Sequence, residues 1–253
     1  MDLNATFDKT KDILGKPYND LEFLLEALRE ALIENGEKNI ASSIPLVNKP
    51  EQIEKQEITP KLLQLYSLLF QLINLCEING AVQHRRQKED QALDSVNGLW
   101  ASQIGKLKAQ GHSDEEIVTS LSEINLEPVL TAHPTEAKRA TVLEHYRELY
   151  LLMVQRENQM YNQHEVANLR HNIKQSLYRL WKTGEIYLEK PRVEDELRNI
   201  LHYLVNVFPV VLPIINRRLL QAAEFHGISK ERISSTLSFP KITFGDWVGG
   251  DRD

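Results

Sequence analysis

The sequence has a single cysteine in 253 residues, no basic or apolar leader, no unbroken apolar run of bilayer length and no excess of positive charge. One cysteine excludes an intrachain disulfide and a cysteine-based metal site. Cys76 sits in the apolar run Leu72-Ile73-Asn74-Leu75-Cys76, which reads as a buried, inert thiol. The start, Met1-Asp2-Leu3-Asn4-Ala5-Thr6, lacks the features of a secretory signal. The most apolar window, Val207 to Ile215, is interrupted by Pro209 and Pro213 and falls short of the roughly 20 residues that span a bilayer. A formal charge of −6 argues against a surface built to neutralise nucleic-acid phosphates. The expectation is a cytoplasmic, soluble protein without a membrane or nucleic-acid partner.

Hydrophobic residues make up 42% and charged residues 26%, so the chain can bury a core and is not disordered as a whole. Most of it has helical periodicity. Asn19 is placed to cap a helix from Asp20 to Glu34, whose Leu21, Leu24, Leu25, Leu28 and Leu32 form one stripe before Asn35-Gly36 ends it. Residues 37–59 contain Pro45 and Pro50 and read as a loop. Thr59-Pro60 then opens a long helix that is apolar around much of its circumference, which predicts contact on two sides. Its basic cluster, His84 to Lys88, reads as a solvated face. Ser113 with Glu116 forms a capping-box pattern.

After Glu123 the pattern changes. Ile124 to Thr131 is short, partly β-branched and bracketed by breakers, which predicts a buried strand; Thr236 to Trp247 predicts a second. Between them lie helices from Pro134 to Asn158, with Leu143, Tyr146, Tyr150 and Met153 on a stripe, and from Glu165 to Lys182. A third, opened by Pro191, is expected to kink or split at Pro209 and Pro213. No repeat of fixed period is visible.

Two strand ends carry residues suited to chemistry. Thr131-Ala132-His133-Pro134-Thr135-Glu136 stands where a strand meets a helix start, with Lys138 and Arg139 one turn on. His133 suits proton transfer near neutrality, and the helix start offers unpaired amides to an anion. By spacing alone, a structural histidine and solvated charges fit as well. Trp247-Val248-Gly249-Gly250-Asp251-Arg252-Asp253 ends the second strand. Paired glycines let amides approach a ligand, and Arg252 between two carboxylates is oriented for phosphate or carboxylate; a plain turn is the alternative.

Val129 to Glu136 resembles the active-site histidine signature of the phosphoenolpyruvate carboxylase family, and Phe244 to Asp253 resembles the start of its second signature. The Arg139 helix, the Pro191 to Glu196 helix start and the apolar helix ending near Arg217-Arg218 are also similar to that family. The resemblance implies a metal-dependent, allosteric, anaplerotic enzyme that carboxylates phosphoenolpyruvate with bicarbonate, giving oxaloacetate and phosphate. It implies His133 as the catalytic histidine, and Arg252, Trp247, Gly249, Gly250, Asp251 and Arg139 around the substrate. Mg2+ or Mn2+ is implied with ligands outside this chain, as is a homo-oligomer, a tetramer in the full-length enzyme. Family members are several times longer, which makes this an N-terminal part expected to be inactive alone; a non-catalytic helical binding or regulatory module on the same scaffold is the alternative. The expected fold is mainly α: a helical region over 1–123, then over 124–253 the first strands and helices of an incomplete β/α (TIM-like) barrel cut at the substrate loop.

Overall fold

The computed structural model describes residues 3–48, 57–131, 140–184, 192–233 and 239–248. It is mainly helical, as expected. The chain forms two compact units, each assembled from two stretches: Met1–Gln83 with Lys138–Leu188, and His84–Ala137 with Glu189–Asp253. This division differs from the expected single boundary after residue 123, because the two helices that follow the first strand pack back onto the N-terminal helices.

The first unit contains α1 (Leu3–Leu14), α2 (Lys16–Glu34), α3 (Lys38–Ala41), most of α4 (Pro60–Gln91), α7 (Ala140–Gln155) and α8 (Gln163–Thr183). α2 starts a turn before the expected Asn19 cap. Gly15 precedes it, Pro17 occupies its first turn, and the Asn19 amide is already bonded to the Gly15 carbonyl. Its leucine stripe is otherwise as read, with Leu24, Leu25, Leu28 and Leu32 buried. The expected loop at 37–59 is folded in part: α3 lies within it, and Ile40, Ala41 and Ile44 are buried. Residues 49–56 lie outside the described part. Thr59 caps α4, its Oγ1 accepting from the Leu62 amide at 3.2 Å. α8 opens on a capping box between Asn162 and Glu165.

Leucines of α2 and α4 meet Val142, Leu149 and Met153 of α7 and Leu169, Ile173 and Leu177 of α8 in one core. On α7 the core side is therefore Val142, Leu149 and Met153; Leu143, expected on it, is 43% exposed. α4 buries Leu62, Leu65, Leu69, Leu72 and Cys76 on one side only, while Leu63, Phe70, Ile73 and Ile78 on the other remain exposed. Burial, reinforced by the negative charge of Asp20, pushes the Cys76 thiol up to about 12.

A charge lies inside this helical unit. Asp20 is 1% exposed, and its carboxylate accepts from Lys16 at 2.9 Å, Arg156 at 2.8 Å and Asn79 at 3.2 Å. These donors come from α2, α4 and the residue after α7, so one buried anion ties three elements together. Burial works against the charge of Lys16, yet its hydrogen bonds to Glu157 and Asp20 outweigh that and hold its pKa above the ordinary value. The Arg156 guanidinium also covers the Phe23 ring, 4.1 Å from its centroid.

The second unit contains the end of α4, α5 (Trp100–Ala109), α6 (Asp114–Glu123), α9 (Val193–His202), α10 (Phe208–Phe225), α11 (Lys230–Ile233) and four short strands. Ser113 and Glu116 form the expected capping box on α6. Its core joins Ala101 and Ile104 of α5 to Leu219, Ala222 and Ala223 of α10, with Ile117, Leu121, Ile228 and Ile233. α5 and α10 approach closely at Gly105, where an added Cβ would lie 3.0 Å from the His226 ring. His226 Nε2 donates to the Ala101 carbonyl at 2.7 Å, which places its proton on that nitrogen. The basic cluster of α4 is partly paired, Glu89 receiving Arg218 at 3.1 Å and Arg85 at 3.7 Å.

At Pro209 the run splits into two helices, as expected, and the junction is a π turn. A five-residue π turn, Tyr203–Val207, joins α9 to α10, and the Phe208 amide bonds to the Tyr203 carbonyl five residues back. Pro209 follows at once, and a proline ring crowds the carbonyl four residues before it, so widening the preceding turn accommodates it. Pro213 lies inside α10. Pro191 lies outside the described residues. By length and composition alone, α4 and the run Val193–Phe225 are long and apolar enough to cross a membrane. α4 is a one-sided core helix, whereas the second run leaves Leu197, Leu201, Val205 and Val210 exposed.

The buried anion, the buried thiol and the exposed apolar run each have a measurable consequence. Asp20→Ala leaves Arg156 and Lys16 without their buried partner and is expected to cost about 3–5 kcal/mol in urea unfolding, whereas a cost under about 1 kcal/mol contradicts the linking role. Cys76 is expected to resist thiol reagents at pH 8 in the native chain and to react in urea. Between the ordinary thiol value and about 12, the folded state retains a proton that the unfolded chain has lost, so this group weakens stability as pH rises through that window. The isolated chain is expected to sediment as more than a monomer, and Val205→Glu with Val210→Glu to reduce the association; a monodisperse wild-type monomer contradicts this.

Candidate functional site

The strands are β1 (Asn125–Leu126), β2 (Val129–Thr131), β3 (Lys241–Ile242) and β4 (Gly245–Trp247). β1 pairs with β3 and β2 with β4, both parallel. The register offset is the same in both pairs: Asn125 faces Lys241, and Thr131 faces Trp247. Two chain segments thus run side by side as one ladder, and amides of Lys241, Thr243 and Gly245 donate in turn to carbonyls of Ile124, Leu126 and Pro128. The interruption falls at Glu127-Pro128, where proline has no amide to contribute. Phe244 between β3 and β4 stacks on Phe208, with centroids 4.0 Å apart and planes 10° from parallel. That contact fastens the second segment to the start of α10.

These strands are not buried as expected. Leu126 and Val129 are 48% and 52% exposed, since each segment has only one described neighbour and little to cover its faces. Trp247, the last residue of β4, is 60% exposed. It alone among the sequence-predicted site residues lies in the described part. His133 and Arg139 follow β2 outside it, and Gly249, Gly250, Asp251 and Arg252 follow β4 outside it.

What the structure does place is the base of both motifs. Thr131 precedes Ala132-His133 by sequence, Trp247 precedes Val248-Gly249, and Thr131 and Trp247 are paired neighbours at the same end of a parallel ladder. Neighbouring strands lie about 4.8 Å apart. Carboxyl ends of parallel strands are where β/α architectures gather reactive groups, because successive loops leave the sheet there on one side. The Phe208–Phe244 stack escapes sequence reading; its only trace is an aromatic in each of two apolar segments. Among the described residues, no group of three or more His, Cys, Asp or Glu is placed to hold a metal ion.

Comparison with known proteins agrees with the paired motifs. The family model for phosphoenolpyruvate carboxylase matches residues 13–253. A phosphoenolpyruvate carboxylase of Methylorubrum extorquens is 34% identical over 199 residues, covering 78% of this chain and 21% of the relative. One from Xanthomonas oryzae pv. oryzae is 30% identical over 239 residues, covering 92% of this chain and 25% of the relative. Phosphoenolpyruvate carboxylase 2 of Chlamydomonas reinhardtii is 29% identical over 182 residues, 72% of this chain and 14% of that protein. The chain belongs to the phosphoenolpyruvate carboxylase family. It spans about a fifth of the length of the curated relatives it matches.

Proposed function

We propose that this chain is the N-terminal part of a phosphoenolpyruvate carboxylase, contributing two neighbouring loops to a catalytic site completed by sequence outside it. The observation that carries the reading is the pairing of Thr131 with Trp247, which roots the histidine motif and the Gly-Gly-Asp-Arg motif side by side at one sheet end. In the complete enzyme β1 to β4 are the first two strands of a β/α barrel, whose later members cover their faces.

The reaction joins bicarbonate carbon to phosphoenolpyruvate. A bicarbonate oxygen attacks phosphorus and the bond to the enol oxygen breaks, giving carboxyphosphate and an enolate. Carboxyphosphate loses its proton and divides into carbon dioxide and phosphate, and the enolate carbon attacks carbon dioxide to give oxaloacetate. Negative charge develops on oxygen at each step, so preorganised cationic and hydrogen-bonding groups lower the barrier. His133 assists proton removal from carboxyphosphate; the ordinary histidine pKa near neutrality suits that transfer. Arg252 binds phosphate or carboxylate of the substrate, with Trp247, Gly249, Gly250 and Asp251 shaping the loop and Arg139 supporting the anion. The ligands of the Mg2+ or Mn2+ that the family implies belong, in this reading, to sequence outside this chain. The complete enzyme is a cytoplasmic, allosterically regulated homotetramer, and this chain alone does not turn over.

The test uses the longer polypeptide and measures bicarbonate-dependent formation of oxaloacetate. His133→Asn is expected to lower kcat about 10²- to 10⁴-fold with a smaller change in KM for phosphoenolpyruvate. Arg252→Gln is expected to raise that KM. Unchanged turnover in His133→Asn removes the histidine from its role, and binding of phosphoenolpyruvate without turnover in the complete wild-type protein favours the non-catalytic module.

A further inference from the structure

The first unit has a groove that the proposed chemistry does not use. It encloses about 310 Å³ between α4 and α7. From α4 it is lined by Gln71, Asn74, Leu75 and Ile78, and from α7 by Leu143, Tyr146, Arg147 and Tyr150. Both sets follow the same spacing of three, four and seven residues. That spacing puts four side chains in a row on one face of a helix, and two such rows side by side form the holes into which the side chains of a third helix fit.

The surroundings support a helical occupant. Ile78 is 58% exposed and Leu143 43%, and the exposed side of α4 continues the apolar surface through Phe70 and Leu63, seven residues apart. This long helix is apolar on both sides, with its inner side in a core and its outer side left exposed among the described residues. Arg147 makes no ion pair or hydrogen bond among the described residues, so the groove presents one unpaired cation beside apolar walls. About four-fifths of the length of the relatives lies outside the region this chain matches, ample length for a further helix.

We infer that the groove between α4 and α7 seats an amphipathic helix from the part of the longer polypeptide outside this chain, its apolar row between the two helices and a carboxylate on Arg147. The inference rests on the family reading, but it concerns a surface in the first unit and requires no catalytic role.

The experiment exploits the buried native thiol. Ile78→Cys and Leu143→Cys introduce accessible thiols, and Met160→Cys, at a residue 91% exposed, serves as the control. Each is placed in the 253-residue chain alone and in a fusion of the chain to the remainder of the Methylorubrum extorquens relative. The same remainder is also supplied as a separate polypeptide. In the isolated chain all three are expected to react with maleimide at similar rates. With the remainder present, Ile78→Cys and Leu143→Cys are expected to react at least tenfold more slowly and Met160→Cys at an unchanged rate. Resistance of Cys76 in every sample reports a folded first unit. Equal labelling at the groove with and without the remainder overturns the inference. So does concentration-dependent protection in the isolated chain, which assigns the groove to a second copy. Turnover is read separately: an active fusion with a freely labelled groove defeats the docking alone, and a protected groove in an inactive fusion defeats only the catalytic reading.

Discussion

The parallel pairing of residues 125–131 with 241–247 is the constraint on which the functional geometry depends. Parallel strands cannot be joined by a tight turn, so the chain must leave at one end and return at the other. Here the return takes in α7 and α8, which belong to the first unit, and then α9, the π turn and α10. The backbone bonds that close this excursion are few, and they are reinforced by the flat stack of Phe208 on Phe244. Closing so long a path costs chain entropy before any contact repays it.

Helix content is legible because 3.6-residue periodicity survives in a single sequence: the stripes of α2 and α8 and the caps at Thr59, Ser113 and Asn35 lie where the residues place them. Errors arise where a local signal competes with a neighbour. Asn19 is a good cap in isolation, but Gly15 and Pro17 start the helix earlier and absorb it. Leu143 and Val142 are both apolar, and only the position of the α2 and α4 core decides which faces inward. The strands are marked by β-branching and breakers, yet their burial depends on neighbours that no local pattern reveals. Pro209 announces a disturbance, whereas its form as a π turn depends on the whole helix. The division into units is hidden altogether, since it arises from α7 and α8 returning to residues far upstream.

For the site, the motifs are legible and their adjacency is not. Nothing in Thr131 or Trp247 as residues says they are opposite one another; that comes from the register. Trp247 is placed, while His133, Arg139 and the Gly249 to Arg252 stretch fall outside the described residues. The two cores also differ in how they are specified. The first is fixed by a buried carboxylate with three donors, which tolerates little slippage between α2 and α4. The second relies on small residues, Ala101, Gly105, Ala222 and Ala223, which let α5 and α10 approach until a histidine side chain spans them.

The interleaving of the two units has a practical consequence for anyone dissecting this gene. Neither unit is encoded by an uninterrupted stretch, so no single truncation yields one of them free of the other's residues. A cut after residue 123 would separate α2 and α4 from the α7 and α8 side chains that complete their core, and would at the same time part α5 and α6 from the α10 residues they pack on. Removing residues 189–253 or 1–83 instead keeps both stretches of one unit, with a piece of the other left as an insertion, and each unit is freed of the other only by splicing its two stretches through a new linker.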